Sequence, residues 1–331
     1  MKYTWSNNWM SAIKNGTQLS EVSIPGTHES CARFGGSVSQ CQWFSITQQL
    51  NRGIRFLDVR CKYQAGGESG RKQNIYFPIY HGVGDVVTAS QNILFEEVQA
   101  QCIAFLSENP SEIVLMNVQM EYSGNGDDFR KKFLELIAPY QEDYWYLGNT
   151  VPVVNDDLRG RIVLIRAYDA ATNAGWGRGT DSEWPNGAYD GGLEWNGFNI
   201  DGESSNAVFQ TQNGWSAWHG TEKGNEVEKY INCAQSNASK GQLTLNFASY
   251  TGDSGIGANA AGMNERLQGF LRDYGVNGNW GAALGIVPLD FIGNTGDTGS
   301  SLEDLIIEHQ LHQASDTTYN GIPSWVTKIS A

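Results

Sequence analysis

Two histidines and an arginine are the residues of this chain whose types and positions best fit chemistry. His28 and Glu29 follow the short apolar run that breaks at Pro25-Gly26 within Ser23-Ile24-Pro25-Gly26-Thr27-His28-Glu29-Ser30. Arg60 ends a strand-like run, and His81 lies just past Ile79-Tyr80. Imidazole titrates near neutral pH, so one ring can accept a proton while another donates one, each needing a partner that holds its tautomer. Carboxylates are at hand for that task in Glu29, Glu121 and Asp290, all close to the ends of apolar runs. Arginine adds a planar fork matched to two oxygens of a phosphate. The sequence carries neither a Gly-rich phosphate loop with lysine nor an HExxH metal motif. Phosphoryl transfer without a nucleotide is the chemistry this inventory fits.

Positioning such groups requires a scaffold of strands whose ends converge. Strand-like runs are read at 21–24, 54–59 and 74–80, and continuous apolar runs of the buried parallel kind at 113–118 and 161–166. Further strands are expected at 243–248 and 286–291. Helical spacing separates them at 90–107, 129–137, 226–237, 264–273 and 302–312. Residues 169–225 turn to Gly, Trp, Asn and Asp with weak periodicity, the texture of long loops. Strands alternating with helices predict an α/β protein: a single distorted (β/α)8 TIM-type barrel over residues 1–331, with an irregular Gly/Trp-rich middle region. Such a barrel gathers its active site at the C-terminal strand ends. His28, Arg60, Gln119, Arg166 and Asp290 all end or follow apolar runs.

Composition narrows the partners. The formal charge of -14 excludes the basic face that nucleic-acid binding needs, and argues against polybasic attraction to an anionic bilayer. Eleven Trp, fourteen Tyr and thirteen Phe offer another route to a lipid surface, because aromatic rings settle at the water–lipid boundary without positive charge. No apolar run reaches the roughly 18 residues of a transmembrane helix. Cys31, Cys41, Cys61, Cys102 and Cys233 show no metal-site spacing, and the odd number leaves at least one unpaired in a monomer. Cys31 and Cys41 either close a short disulfide loop in an oxidising compartment or remain buried thiols. The first residues lack an apolar signal core, which fits a mature form with an added Met or export without such a segment.

The blocks Ser23 to Ser30, Arg55-Phe56-Leu57-Asp58-Val59-Arg60, Tyr80-His81-Gly82, Asn109-Pro110-Ser111-Glu112 and Leu289-Asp290-Phe291-Ile292 closely resemble bacterial phosphatidylinositol-specific phospholipase C. The resemblance is strongest over residues 18–122 and weakest across the Gly- and Trp-rich middle. It implies a distorted barrel that cleaves phosphatidylinositol to diacylglycerol and inositol 1,2-cyclic phosphate. On it, His28 is the base toward the inositol 2-hydroxyl and His81 the acid toward the leaving diacylglycerol. Asp290 then holds His28 and Glu29 holds His81, although bacterial members usually carry Asp at the Glu29 position.

Calcium-dependent relatives have an acidic ligand where this chain has Arg60 and an asparagine where it has Glu29, so the resemblance implies no metal and no cofactor. Asp58 would support Arg60 at the phosphate. Gln119, Arg166 and Trp215 are the candidates for inositol contact, Gln119 standing where relatives often have lysine. Trp43, with Phe44 beside it, matches an interfacial tryptophan, so the expected partner is phosphatidylinositol in membrane surfaces, met peripherally by an extracellular monomer. His219, His309 and His312 lack such company and read as surface or helix-face residues. Two rival functions carry distinct marks: a non-catalytic inositide-binding barrel would keep the pocket without turnover, and a glycerophosphodiester or sphingomyelin phosphodiesterase would depend on metal-binding carboxylates.

Overall fold

The two longest apolar runs form neighbouring parallel strands, Val114–Met120 and Ile162–Ala167, toward one end of the strand order of a large curled sheet. A computed structural model describes residues 2–3, 7–63, 77–83, 87–120, 126–167, 193–194, 203–205, 207–214, 220–252, 254–293, 300–314 and 328–329. Its parallel strands run in the spatial order Phe209–Gln212, Leu243–Asn246, Ile286–Leu289, Ile24–Thr27, Phe56–Cys61, Val114–Met120, Ile162–Ala167 and Leu193–Glu194. Among the described residues no pairing joins Leu193–Glu194 to Phe209–Gln212, so the barrel is distorted at that seam. Helices Phe95–Glu108, Gly126–Ile137, Gly220–Ala238, Ile256–Tyr274 and Leu302–Ala314 occupy connections or follow the last strand.

Strand alternation divides the core into two layers. Phe56, Leu115, Val163, Leu245 and Ile286 pack inside with Trp9 and Met10. Leu57, Val59, Met116, Val118 and Leu164 pack in the other layer, with residues of the helices. By the same alternation Asp58 and Arg60 share the inner face with Phe56, and His28 shares it with Ile24.

Three sequence readings are corrected. The strand expected at 21–24 is instead Ile24–Thr27, preceded by a short helical turn at Leu19–Glu21, so the chain runs extended straight through Pro25-Gly26. Gly26 is needed there because a Cβ would lie 2.8 Å from the ring of Phe56. The run expected as a barrel strand at 74–80 belongs, where it is described, to Pro78–Val83, which pairs antiparallel with Val87–Leu94 as a hairpin beside the sheet. The helix expected from 90 begins at Phe95, because residues 90–94 are spent on that hairpin and Glu97 caps the Leu94 N–H at 2.8 Å. Cys31 and Cys41 are both buried free thiols. His309 is buried on its helix face, with Nε2 3.1 Å from the Leu271 carbonyl oxygen. His219 lies outside the described residues.

Candidate active site

The mouth is built where strands Ile24–Thr27 and Ile286–Leu289 end side by side in parallel register. His28 follows the first and Asp290 the second, and His28 Nδ1 stands 2.8 Å from Asp290 Oδ1. The Gln42 side chain fixes both strand ends by donating to the carbonyl oxygens of His28 and Leu289, each at 2.8 Å. Backbone strain marks the same corner: Glu29 has φ 42° and Phe291 φ 48°, left-handed values that non-glycine residues seldom adopt.

His81 reaches the mouth from the hairpin rather than from a parallel strand. Its ring centroid lies 6.3 Å from that of His28, with the planes at 89°. His81 Nδ1 is 2.6 Å from Glu29 Oε1. That same oxygen is 2.9 Å from Arg60 Nη1, so the Glu29 arm meets His81 and the guanidinium together. Nδ1 of each ring thus stands beside a carboxylate, and Nε2 is the nitrogen turned away from it, that of His81 lying 4.0 Å from Cys41 Sγ.

Arg60 is also held from below. Asp58 Oδ2 accepts from Arg60 Nε at 3.1 Å and Nη2 at 2.9 Å, and from the Glu29 backbone N–H at 3.1 Å. Asp58 Oδ1 accepts from Asn117 Nδ2 at 2.8 Å. The Asp58 oxygens thus meet the arginine, the Glu29 backbone and Asn117. Burial alone would raise the Glu29 carboxyl, but Arg60 and His81 outweigh it and hold it below the usual range. Burial likewise works against the Asp58 charge, and Arg60, His28 and the hydrogen bonds from Arg60 and Asn117 again prevail. Both acids are stronger folded than unfolded. They contribute stability that is present above ordinary carboxylate values and is lost as pH falls through their lower folded values.

The remaining sequence candidates divide. Gln119 pairs in register with Arg60, is buried, and its Oε1 meets no hydrogen-bond partner among the described residues. Arg166 is in register with Val118, which packs in the outer layer, whereas Ala167 holds the position beside Gln119. Alternation thus puts an alanine, not the arginine, on the inner face at that strand end. Trp215 and Glu121 lie outside the described residues. Trp43 is 60% exposed and its ring lies 4.8 Å from that of Phe291, tilted by 47°, Phe291 being the residue after Asp290. Phe34 and Val38 are exposed on the same segment, whereas Phe44 is packed against the core beneath the Arg52 guanidinium at 4.0 Å.

Three residues of the site escaped the sequence reading. Asn117 sat inside an apolar run, and a lone amide in such a run was the available signal. Gln42 and Cys41 gave none: Cys41 Sγ comes within 4.0 Å of His81 Nε2 only through the fold. Burial pushes the Cys41 thiol well up, and nearby Asp290 and Glu29 add to the effect.

Fold and site together define an α/β barrel whose mouth holds two imidazoles, each beside a carboxylate, and a carboxylate-held guanidinium. Residues 17–167 match the family model described as "Phosphatidylinositol-specific phospholipase C, X domain". A 1-phosphatidylinositol phosphodiesterase of Listeria monocytogenes is 32% identical over 173 residues, 48% of this chain and 48% of the relative. One from Staphylococcus aureus is 22% identical over 217 residues, 62% of this chain and 59% of the relative. In these alignments the chain spans about half the length of the curated relatives it matches.

Among solved structures, a Staphylococcus aureus phosphatidylinositol-specific phospholipase C containing pentafluoro-Phe superposes with a TM-score of 0.71 at 20% identity, covering 92% of this chain and 98% of the other. The Listeria monocytogenes enzyme gives 0.68 at 22% identity, with coverage of 92% and 98%. The resemblance to bacterial phosphatidylinositol-specific phospholipase C and the distorted barrel it implied both stand.

Proposed function

We propose that residues 1–331 form one catalytic unit, a metal-independent phosphatidylinositol-specific phospholipase C. The observation that carries this reading is the pair of imidazoles edge-on across 6.3 Å, each beside its own carboxylate. His28 removes the proton of the inositol 2-hydroxyl, with Asp290 stabilising the imidazolium that forms. The alkoxide attacks phosphorus, the bond from phosphorus to the glycerol oxygen breaks, and His81 protonates the departing diacylglycerol. Arg60, fixed by Glu29 and Asp58, meets the non-bridging phosphate oxygens and stabilises their growing charge. The unpartnered Gln119 Oε1 accepts from an inositol hydroxyl. A guanidinium already in that place supplies the charge a cation would bring. Purified protein should therefore release inositol 1,2-cyclic phosphate from phosphatidylinositol vesicles in excess EDTA. Binding without product would instead indicate an inositide-binding barrel, and loss of activity restored by calcium would overturn metal independence.

The substrate lies in a bilayer, and exposed Phe34, Val38 and Trp43 form an apolar rim on the segment leading into Cys41 and His28's neighbours. Insertion of Trp43 anchors the mouth despite the net charge of -14. Trp43→Ala should weaken sedimentation with phosphatidylinositol vesicles by roughly 10-fold, within the area lost from one large ring. Cleavage of a soluble short-chain substrate should be spared; equal loss in both assays would defeat the role. Phe44, being covered, is not part of this anchor. The protein is read as a secreted monomer. No described helix is long and apolar enough to cross a membrane.

A further inference from the structure

Cys41 is a nucleophilic group at the mouth, among the described residues, that the proposed reaction leaves unused. One ligand atom from each of His28, Cys41 and Asp290 lies within 4.8 Å of the others. His81 Nε2 is a fourth donor, 4.0 Å from Cys41 Sγ.

The backbone brings these groups together from separate segments and keeps them there. The Phe291 N–H donates to the Cys41 carbonyl at 2.8 Å, tying the Cys41 segment to the residue after Asp290. The His28 N–H donates to the Leu289 carbonyl at 3.0 Å, and Gln42 clamps that same pair of strand ends. Cys41 packs against Ala32 and Ile256 as a space-filling cysteine would, but such a residue needs no polar neighbours. This one has an imidazole on two sides and a carboxylate on a third.

Thiolate, imidazole and carboxylate together favour a borderline-soft ion such as zinc over calcium or magnesium, which take oxygen donors. Zinc bonds of about 2.3 Å to sulfur and about 2.0 Å to nitrogen put tetrahedral donors roughly 3.5 Å apart. Shifts on the order of 1 Å therefore close the set, given the rotamer freedom of cysteine and histidine side chains. The His28 side chain is 15% exposed and gives the ion its way in.

We propose that Cys41, His28 and Asp290 form a binding site for a zinc-class divalent ion that competes with the phosphate substrate. The ion takes the Nδ1 position that faces Asp290, which puts the ring proton on Nε2 and so removes the lone pair that would accept the 2-hydroxyl proton, and the Cys41 thiol proton passes to solvent as the sulfur binds. Zinc is then a reversible inhibitor of an enzyme that needs no metal. The inhibitory part rests on His28 acting as base; the binding part does not.

The test uses the full metal-free chain with zinc alone, followed by calorimetry, and with cobalt alone, followed by its near-ultraviolet thiolate-to-metal band. Wild type should bind one zinc per chain and show the cobalt band. Cys41→Ser and Cys41→Ala should abolish the band and weaken zinc binding by more than the about 10–100-fold that loss of a group merely supporting a ligand costs. The zinc concentration that halves cleavage, scaled to each variant's own zinc-free rate, should rise by the same factor. A wild type without the cobalt band, or zinc inhibition unchanged in both Cys41 variants, overturns the site. If the wild type cleaves no phosphatidylinositol yet shows the band, the functional reading fails while the metal site stands.

Discussion

Alanine at His28 or at His81 lowers release of inositol cyclic phosphate by about 10²- to 10⁴-fold, the range a positioned general acid or base contributes. The double variant should be only slightly worse than the poorer single one, because groups that act in one step are not additive. The geometry assigns separate limbs of the pH profile to the two rings. Wild type should give a bell, rising as the base loses its proton and falling as the acid loses its own. A substrate with a good leaving group needs less help from the acid, so it should restore His81→Ala far more than His28→Ala. Circular dichroism should show the fold retained, since His28 is still 15% exposed where it meets the Phe247 ring edge-on. Wild-type rates in either variant, or equal rescue of both, would sink the assignment.

Glu112→Ala should destabilise the protein by about 3–5 kcal/mol, a large share of the roughly 5–15 kcal/mol typical of a folded domain. Arg55 and Glu112 are both 0% exposed. Glu112 Oε2 accepts from Arg55 Nε at 2.8 Å and Nη2 at 2.7 Å, and from the Met10 N–H at 3.3 Å. The rest of the guanidinium donates to the carbonyls of Leu50, Ile54 and Asn7 and lies 4.6 Å over the Phe105 ring. Burial pulls the Arg55 pKa below its ordinary value, and Glu112 is what opposes this. Removing the carboxylate leaves an uncompensated charge in the core. Urea unfolding should show the loss, and Arg55→Met with Glu112→Met should recover much of it, since replacing both charges removes the desolvation problem. A Glu112→Ala midpoint equal to wild type would show that the pair is not what holds this end of the barrel.

That pair also explains what motif reading could and could not see. The Arg55–Arg60 and Asn109–Glu112 blocks look alike as polar islands, yet one ends in the mouth and the other locks the opposite end of the same strands. His28 and Asp290 were legible because a polar residue closing an apolar run lands at the carboxyl end of a parallel strand. His81 obeyed the same local pattern for a different reason, since its run belongs to an antiparallel hairpin. Arg166 was misleading by a single residue, because in a strand one step changes the face. Contacts such as Cys41 with His81 depend on how distant segments pack, which no window of sequence encodes.

Glu29 Oε1 is shared between Arg60 and His81, and this makes the two cations thermodynamically linked although one comes from a parallel strand and the other from the hairpin. On the proposed assignment His81 gives up its Nε2 proton, so Nδ1 stays on that oxygen while the ring loses its positive charge and the guanidinium becomes the stronger electrostatic claim on the carboxylate. The attraction that had been divided is then weighted toward Arg60, the group proposed to hold the phosphate. The longer glutamate arm thus serves as a charge balance across the mouth, so that the proton inventory of the acid and the grip of the arginine change together rather than in turn.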